Sequence, residues 1–110
     1  MAAGMNGEAV NSGVRQGLLL AESGRIGEAL IVTRRATDLL SILGKVRHTE
    51  EVWWLHARTL HKAGNAYRAE KALQEARKEV ALKRSRIEDP NLQTAFDAHP
   101  LVKAIGDGFQ

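Results

Sequence analysis

The fold is decided by residues 53–76, whose sequence is WWLHARTLHKAGNAYRAEKALQEA. Small and apolar residues recur there at spacings of three and four on each side of Gly64: Trp53, Ala57 and Leu60 before it, and Ala69, Leu73 and Ala76 after it. Such spacing places residues on one face of an α-helix, whereas a strand would alternate every second residue. Glycine between two such runs is typical of a helix C-terminus. The stretch therefore predicts a hairpin of two helices, near residues 49–63 and 66–87.

The same pattern stands earlier in the chain, at an offset of 40 residues. Five positions correspond, with residues that are identical or similar in size: Gly17, Leu20, Gly24, Ala29 and Ala36 precede Ala57, Leu60, Gly64, Ala69 and Ala76. A fixed offset of this kind is typical of helical repeats, in which each unit buries its apolar face against its neighbours. We therefore expect an all-α fold with a first hairpin formed by helices near residues 8–23 and 25–44.

This pattern resembles the tetratricopeptide repeat (TPR). In that family an aromatic residue opens the first helix, a small residue follows, glycine lies at the turn and alanines lie on the second helix. Here these roles fall to Trp53, Ala57, Gly64, Ala69 and Ala76. The resemblance implies a superhelix of antiparallel hairpins, similar to the C-terminal TPR regions of bacterial signalling ATPases, nucleotide cyclases and transcriptional activators.

The sequence departs from the family pattern at several positions. His56 stands where leucine is usual, and Gly13 and Thr33 stand where aromatic residues are usual. Neither repeat closes with proline, and the offset exceeds the usual 34 residues of the family. The longer offset implies longer second helices.

The last segment predicts a pair of short helices. Asp89 followed by Pro90 is typical of a helix N-terminus, and Pro100 opens a further apolar stretch. Repeat arrays need a terminal cap over their last apolar face. The predicted organisation is a flexible tail (1–7), two TPR-like repeats (8–45 and 49–87) and C-terminal capping helices (89–110).

Composition restricts the functional class. The 110 residues contain no cysteine, which excludes disulfides, thiolate metal sites and thiol nucleophiles. No catalytic or phosphate-binding motif occurs, and His56 and His61 fall on different faces of their predicted helix, so they cannot share a metal. The sequence also lacks a secretory signal and an apolar run of membrane-spanning length. We therefore expect a cytoplasmic, non-catalytic protein with no cofactor, no metal and no membrane association.

A basic run ends the fourth predicted helix and contributes to the formal net charge of +3: Arg77, Lys78, Lys83, Arg84 and Arg86. Such a run is typical of a solvated helix end, where cations interact favourably with the helix dipole, or of a nucleic-acid-binding surface. The absence of aromatic residues within the run disfavours binding to single strands. A small basic helical DNA-binding regulator is therefore the alternative function, and nucleic acid the less favoured partner.

The leading hypothesis is a module that binds a protein or peptide. The resemblance implies a concave groove lined by the first helix of each hairpin, with Val14 and Leu18 of the first hairpin in it. On the second hairpin, Trp54, Arg58 and Lys62 are spaced i, i+4 and i+8, so they form one stripe. An exposed tryptophan beside cations is a composition typical of binding hot spots, and the cations favour a partner with acidic groups.

Two outcomes are open for Trp54. The side chain is either exposed in the groove or covered by the capping helices of residues 90–105. In the second case the contact surface moves to the first hairpin, where Val14 and Leu18 are expected to be exposed. That surface would serve self-association or a preceding repeat.

Overall fold

The computed structural model describes the backbone of residues 3–109 and the side chains of residues 7–109. Within this part of the chain there are six helices and no strand: α1 (Ala3–Glu22), α2 (Ile26–Leu43), α3 (Thr49–Lys62), α4 (Ala66–Ser85), α5 (Pro90–Asp97) and α6 (Pro100–Asp107). The predicted all-α class is confirmed. α1 packs antiparallel on α2, and α3 on α4, with α1 and α2 both contacting α3.

The first helix is longer than expected. It begins at Ala3 and therefore includes residues 3–7 of the stretch predicted as a flexible tail (1–7); residues 1 and 2 lie outside the described residues. No proline interrupts this stretch, so the helix can extend to Ala3 although Gly4, Asn6 and Gly7 have low helix propensity. The side chain of Asn11 also donates to the carbonyl of Gly7 at 3.0 Å.

The repeat reappears in the geometry of the two turns. Gly24 and Gly64 have φ angles of 84° and 82°, in the left-handed region that glycine adopts readily and that ends a helix. The residue after each glycine donates its N–H to a carbonyl five residues back: Arg25 to Leu20 at 2.9 Å and Asn65 to Leu60 at 3.0 Å. Both hairpins therefore close through the same hydrogen bonds.

Small residues set the distance between the helices of each hairpin. A Cβ atom placed on Gly13 would lie 2.8 Å from the Cβ of Ala36, so α1 approaches α2 too closely for the aromatic residue of the family pattern. In the second hairpin, Ala57, Ala69 and Ala76 are completely buried. Close contact between helix backbones requires small side chains. This requirement explains why alanine or glycine stands at the matched positions of the two repeats.

Two apolar clusters form the core. The first joins α1, α2 and the start of α3: Val10, Val14, Ala36, Leu40 and Val52. The second lies among α3, α4 and α6: Trp54, Ala57, Leu60, Ala69, Ala72, Leu73, Ala76 and Ile105. Trp53 and Leu55 pack against both clusters. Because Ile105 belongs to the second cluster, α6 closes the open side of the second hairpin.

Polar contacts hold α6 against α4. The Nε and Nη2 atoms of Arg77 donate to the carbonyls of Ile105 and Gly106, both at 3.1 Å. The last carbonyls of a helix have no intrahelical partner, so Arg77 satisfies groups that α6 leaves open.

The helix α5 connects α4 to α6 along the surface. Its predicted N-cap is confirmed, because the side chain of Asp89 accepts from the N–H of Asn91 at 2.8 Å. Arg84 on α4 donates to Asp97 at 2.9 Å. Within the described chain, α5 buries none of its residues, so capping, tethering and a surface ion pair hold it in place.

Candidate functional site

Trp54 lies inside the protein, so of the two outcomes open for this side chain the structure has the covered one and not exposure in a groove. Its exposed fraction is 8%, and its ring stacks on Phe109 with the ring centroids 5.9 Å apart. Phe109 also stacks on His61 at 4.3 Å. The covering residues therefore extend past the predicted range of 90–105. An array of two hairpins has few apolar contacts available, which favours covering a large aromatic side chain.

Arg58 and Lys62 remain at the surface beside this contact. The guanidinium of Arg58 lies 5.9 Å from the ring centroid of Trp54, and Lys62 is exposed. Together with residues of α6 and Phe109 they border a shallow hollow of about 550 Å³. The predicted stripe is therefore contiguous, but the C-terminal residues of the chain occupy its apolar centre.

Val14 and Leu18 are core residues, so the prediction that they are exposed on the first hairpin is wrong. Their exposed fractions are 0% and 7%. Val14 packs in the first cluster with Ala36 and Val52, because its face of α1 points towards α2 and α3. The exposed large apolar residues of this hairpin are others: Leu19, Ile31 and Ile42.

A cleft that was not predicted from the sequence lies between α2 and α4, with α3 at its base. Its volume is about 540 Å³. Buried and half-buried residues form its floor: Leu30, Thr33, Trp53, His56, Leu60 and Ala72. Exposed cations of α2 and α4 form its rim: Arg34, Arg68 and Lys71.

The rim cations are not neutralised by the protein. None of Arg34, Arg68 and Lys71 forms an ion pair within residues 7–109. The carboxylate of Glu75, which also borders the cleft, lies 3.5 Å from Lys78. The ammonium of Lys71 lies 4.9 Å from the ring centroid of Tyr67. The mouth of the cleft therefore carries positive charge that an anionic ligand can neutralise.

His56 is the polar centre of the floor. Its Nδ1 lies 2.8 Å from the hydroxyl of Thr33, and the Trp53 ring meets it edge-on at 6.0 Å. Burial lowers the pKa of His56 to about 4; the charge of Arg68 lowers it further and that of Asp38 opposes the shift. The imidazole is therefore neutral at pH 7.

The hydroxyl of Thr33 determines which nitrogen of His56 carries the proton. Thr33 is completely buried, so its hydroxyl hydrogen requires an acceptor. Among residues 7–109 the hydroxyl has one hydrogen-bond partner, Nδ1 of His56. We therefore assign Thr33 as the donor and Nδ1 as the acceptor, which leaves the single proton of the neutral ring on Nε2.

The basic run at the end of α4 is largely engaged within the protein. Arg77 binds the end of α6, Lys78 pairs with Glu75, and Lys83 pairs with the buried Glu50 at 2.5 Å. Arg84 pairs with Asp97. Most of the run therefore serves intramolecular contacts.

Comparison with known proteins gives no match. No protein-family model, no curated protein and no solved structure matches the chain. In the portion of the chain described, no helix is both long and apolar enough to cross a membrane. That same portion contains no group of three or more histidine and acidic side chains arranged to hold a metal ion.

The repeat pattern does not predict the cleft, but two residues of its floor, Thr33 and His56, depart from that pattern. In the structure a hydrogen bond joins them. The repeat pattern usually has apolar residues at these two positions. Polar residues at both are therefore the sequence signal from which the cleft floor could have been predicted.

Proposed function

We propose that the chain is a non-catalytic helical-repeat module that binds an acidic segment of another protein in the cleft between α2 and α4. The carrying observation is an apolar floor beside three cations, Arg34, Arg68 and Lys71, that form no ion pair within residues 7–109. A volume of about 540 Å³ lies in the range of ligand-binding clefts.

The two parts of the cleft have different roles in this proposal. Trp53 and Leu30, both half-buried, offer apolar surface to a leucine or aromatic side chain. Removing such surface from water stabilises by about 25 cal/mol per Å². The rim cations attract the acidic residues that flank it, which raises the association rate and excludes basic segments. The preferred ligand is therefore an apolar residue between aspartates or glutamates.

The resemblance to the TPR supports the class of function and favours a cytoplasmic bacterial regulatory protein as its setting. The groove that the resemblance implies would use the face of α3 that carries Trp54. Because Phe109 stacks on that ring, we assign binding to the face of α3 that carries His56.

The experiment is fluorescence anisotropy with short labelled peptides in which one leucine or phenylalanine is flanked by aspartate and glutamate. Matched peptides carry lysine at the acidic positions. We expect the acidic peptides to bind and the basic ones not to bind. Replacing Arg34 and Arg68 together by glutamine should weaken binding at least about tenfold, which corresponds to about 1.4 kcal/mol.

Arg35→Gln is the matched control, because Arg35 neighbours Arg34 on α2 and is exposed but does not border the cleft. It should leave the affinity unchanged. Failure of every acidic peptide to bind would contradict the proposal. Tight binding of duplex DNA, with a steep loss of affinity as salt rises, would instead favour the DNA-binding alternative.

A further inference from the structure

Nε2 of His56, on the cleft floor, forms no hydrogen bond within residues 7–109. The other ring nitrogen, Nδ1, is engaged by Thr33. Nε2 of His56 is accessible to solvent. Since His56 borders the cleft, its Nε2–H can meet a ligand there.

The surroundings of Nε2–H select the kind of acceptor. Arg68 is near enough to act on the His56 ring electrostatically, and Arg34 and Lys71 border the same cleft. An acceptor at Nε2 therefore lies in a positive field, because these three cations outnumber the two nearby carboxylates, those of Asp38 and Glu75. A carboxylate gains both the hydrogen bond and the charge interaction, whereas an amide carbonyl gains the hydrogen bond alone.

We infer that His56 is a specificity-determining residue, whose neutral Nε2–H donates to an aspartate or glutamate carboxylate of the bound segment while Arg68 pairs with the same carboxylate. The inference rests on the proposed function and names the atom that recognises the acidic group. Thr33 is the positioning residue, because its hydroxyl holds the ring in the donor tautomer.

Binding studies separate the hydrogen bond from the charge. His56→Phe keeps an aromatic ring but removes the donor, and should weaken the acidic peptide about three- to tenfold. His56→Gln retains an N–H donor and should restore part of that loss. Exchanging the recognised glutamate of the peptide for glutamine should cost affinity in the unmodified protein and much less in Arg68→Gln.

Nuclear magnetic resonance of the unmodified protein gives a measurement that does not depend on how the variants fold. The ring nitrogens should show a His56 protonated on Nε2 at pH 7. Adding the glutamate peptide should shift the His56 resonances and raise its pKa, because a nearby carboxylate favours the charged ring. The charged groups that border the cleft or act electrostatically on this ring are Arg34 and Asp38 on α2, and Arg68, Lys71 and Glu75 on α4. His48 and His99, both outside the cleft, serve as internal references and should not respond.

The possible failures can be distinguished. If no acidic peptide binds the unmodified protein, the proposed function is wrong. If the peptide binds and Arg34 and Arg68 matter, but His56→Phe binds equally well and the His56 resonances do not respond, the proposed function stands and this inference is overturned. A ring protonated on Nδ1 would also overturn it.

Discussion

The hydroxyl of Thr33 on α2 lies 2.8 Å from Nδ1 of His56 on α3. Each residue alone departs from an apolar repeat pattern, and each would leave a polar group without a partner in the interior. Paired with each other, they satisfy these groups across the boundary between the two hairpins. The pair also orients the ring that the cleft presents to a ligand.

Removing the hydroxyl should therefore destabilise the fold. Thr33→Val keeps the shape and branching of the side chain but leaves Nδ1 without its partner, and we expect a loss of about 1–3 kcal/mol. Thr37→Val is the control, because the Thr37 hydroxyl is bonded to backbone carbonyls of its own helix and is partly exposed. Urea denaturation provides the measurement, and equal midpoints for the two variants would contradict the structural role of the pair.

Stability should fall on acidification in a defined window. The pKa of His56 is about 4 in the folded protein and about 6.5 in the unfolded chain. Between these values the unfolded chain binds a proton that the folded chain does not, so the free energy of unfolding decreases as pH falls from 6.5 to 4. The contribution is about 3 kcal/mol, at 1.36 kcal/mol per pKa unit.

The comparison with His56→Gln isolates this contribution, because other titrating groups cancel in the difference. The stability of the unmodified protein relative to the variant should be constant above pH 7 and should decline towards pH 4. Parallel pH profiles would show that the ring is not buried in its neutral form.

Overpacking should reveal the close contact between α3 and α4. Ala69 is completely buried, as the repeat pattern predicts, so Ala69→Leu should cost about 1–3 kcal/mol. Ala81→Leu makes the same change at an exposed position of α4 and should remain within about 0.5 kcal/mol of the unmodified protein. Thermal melting of the two variants measures the difference, and an unchanged midpoint for Ala69→Leu would place the α3–α4 contact elsewhere.

Phe109 should control the environment of Trp54. In a Trp53→Phe background, in which Trp54 alone emits, Phe109→Ala should move the fluorescence maximum to longer wavelength and increase acrylamide quenching. Phe109 is partly buried, so the expected loss of stability is about 2 kcal/mol, below the range for fully buried aromatics. Leu92→Ala, at a residue of α5 that is 60% exposed, should change neither signal.

The two charged faces of α3 should differ in function. Reversing Arg58 and Lys62 to glutamate should leave binding of the acidic peptide within about twofold, because Phe109 fills the apolar centre beside them. Reversing Arg34 and Arg68 should abolish it. Affinities are measured by anisotropy at equal salt. The opposite ranking would indicate that the peptide binds the face predicted from the sequence, which carries Arg58 and Lys62.

The features that could be predicted from the sequence are those that residues close together in the chain determine. The turns at Gly24 and Gly64, the buried alanine at 69 and the Asp89 cap depend on residues within a few positions, and each is found as expected. The covering of Trp54 was one of two open outcomes, because Phe109 is distant in the chain and its placement depends on the path of α5 and α6. The cleft depends on how far α2 and α4 diverge above α3, which the helical period does not encode.

The lack of buried residues in α5 has a consequence for how the molecule opens. Its eight residues lie between the core residues Ala76 of α4 and Ile105 of α6, so we expect α5 to open locally at a lower free energy than either of these two helices. Amide exchange should be fast there, and a protease should first cut the chain in this segment. Such a cut separates α6 from α4 in the chain and leaves both hairpins intact. The binding of α6 to the second hairpin then becomes a reversible association, and its dissociation constant can be measured.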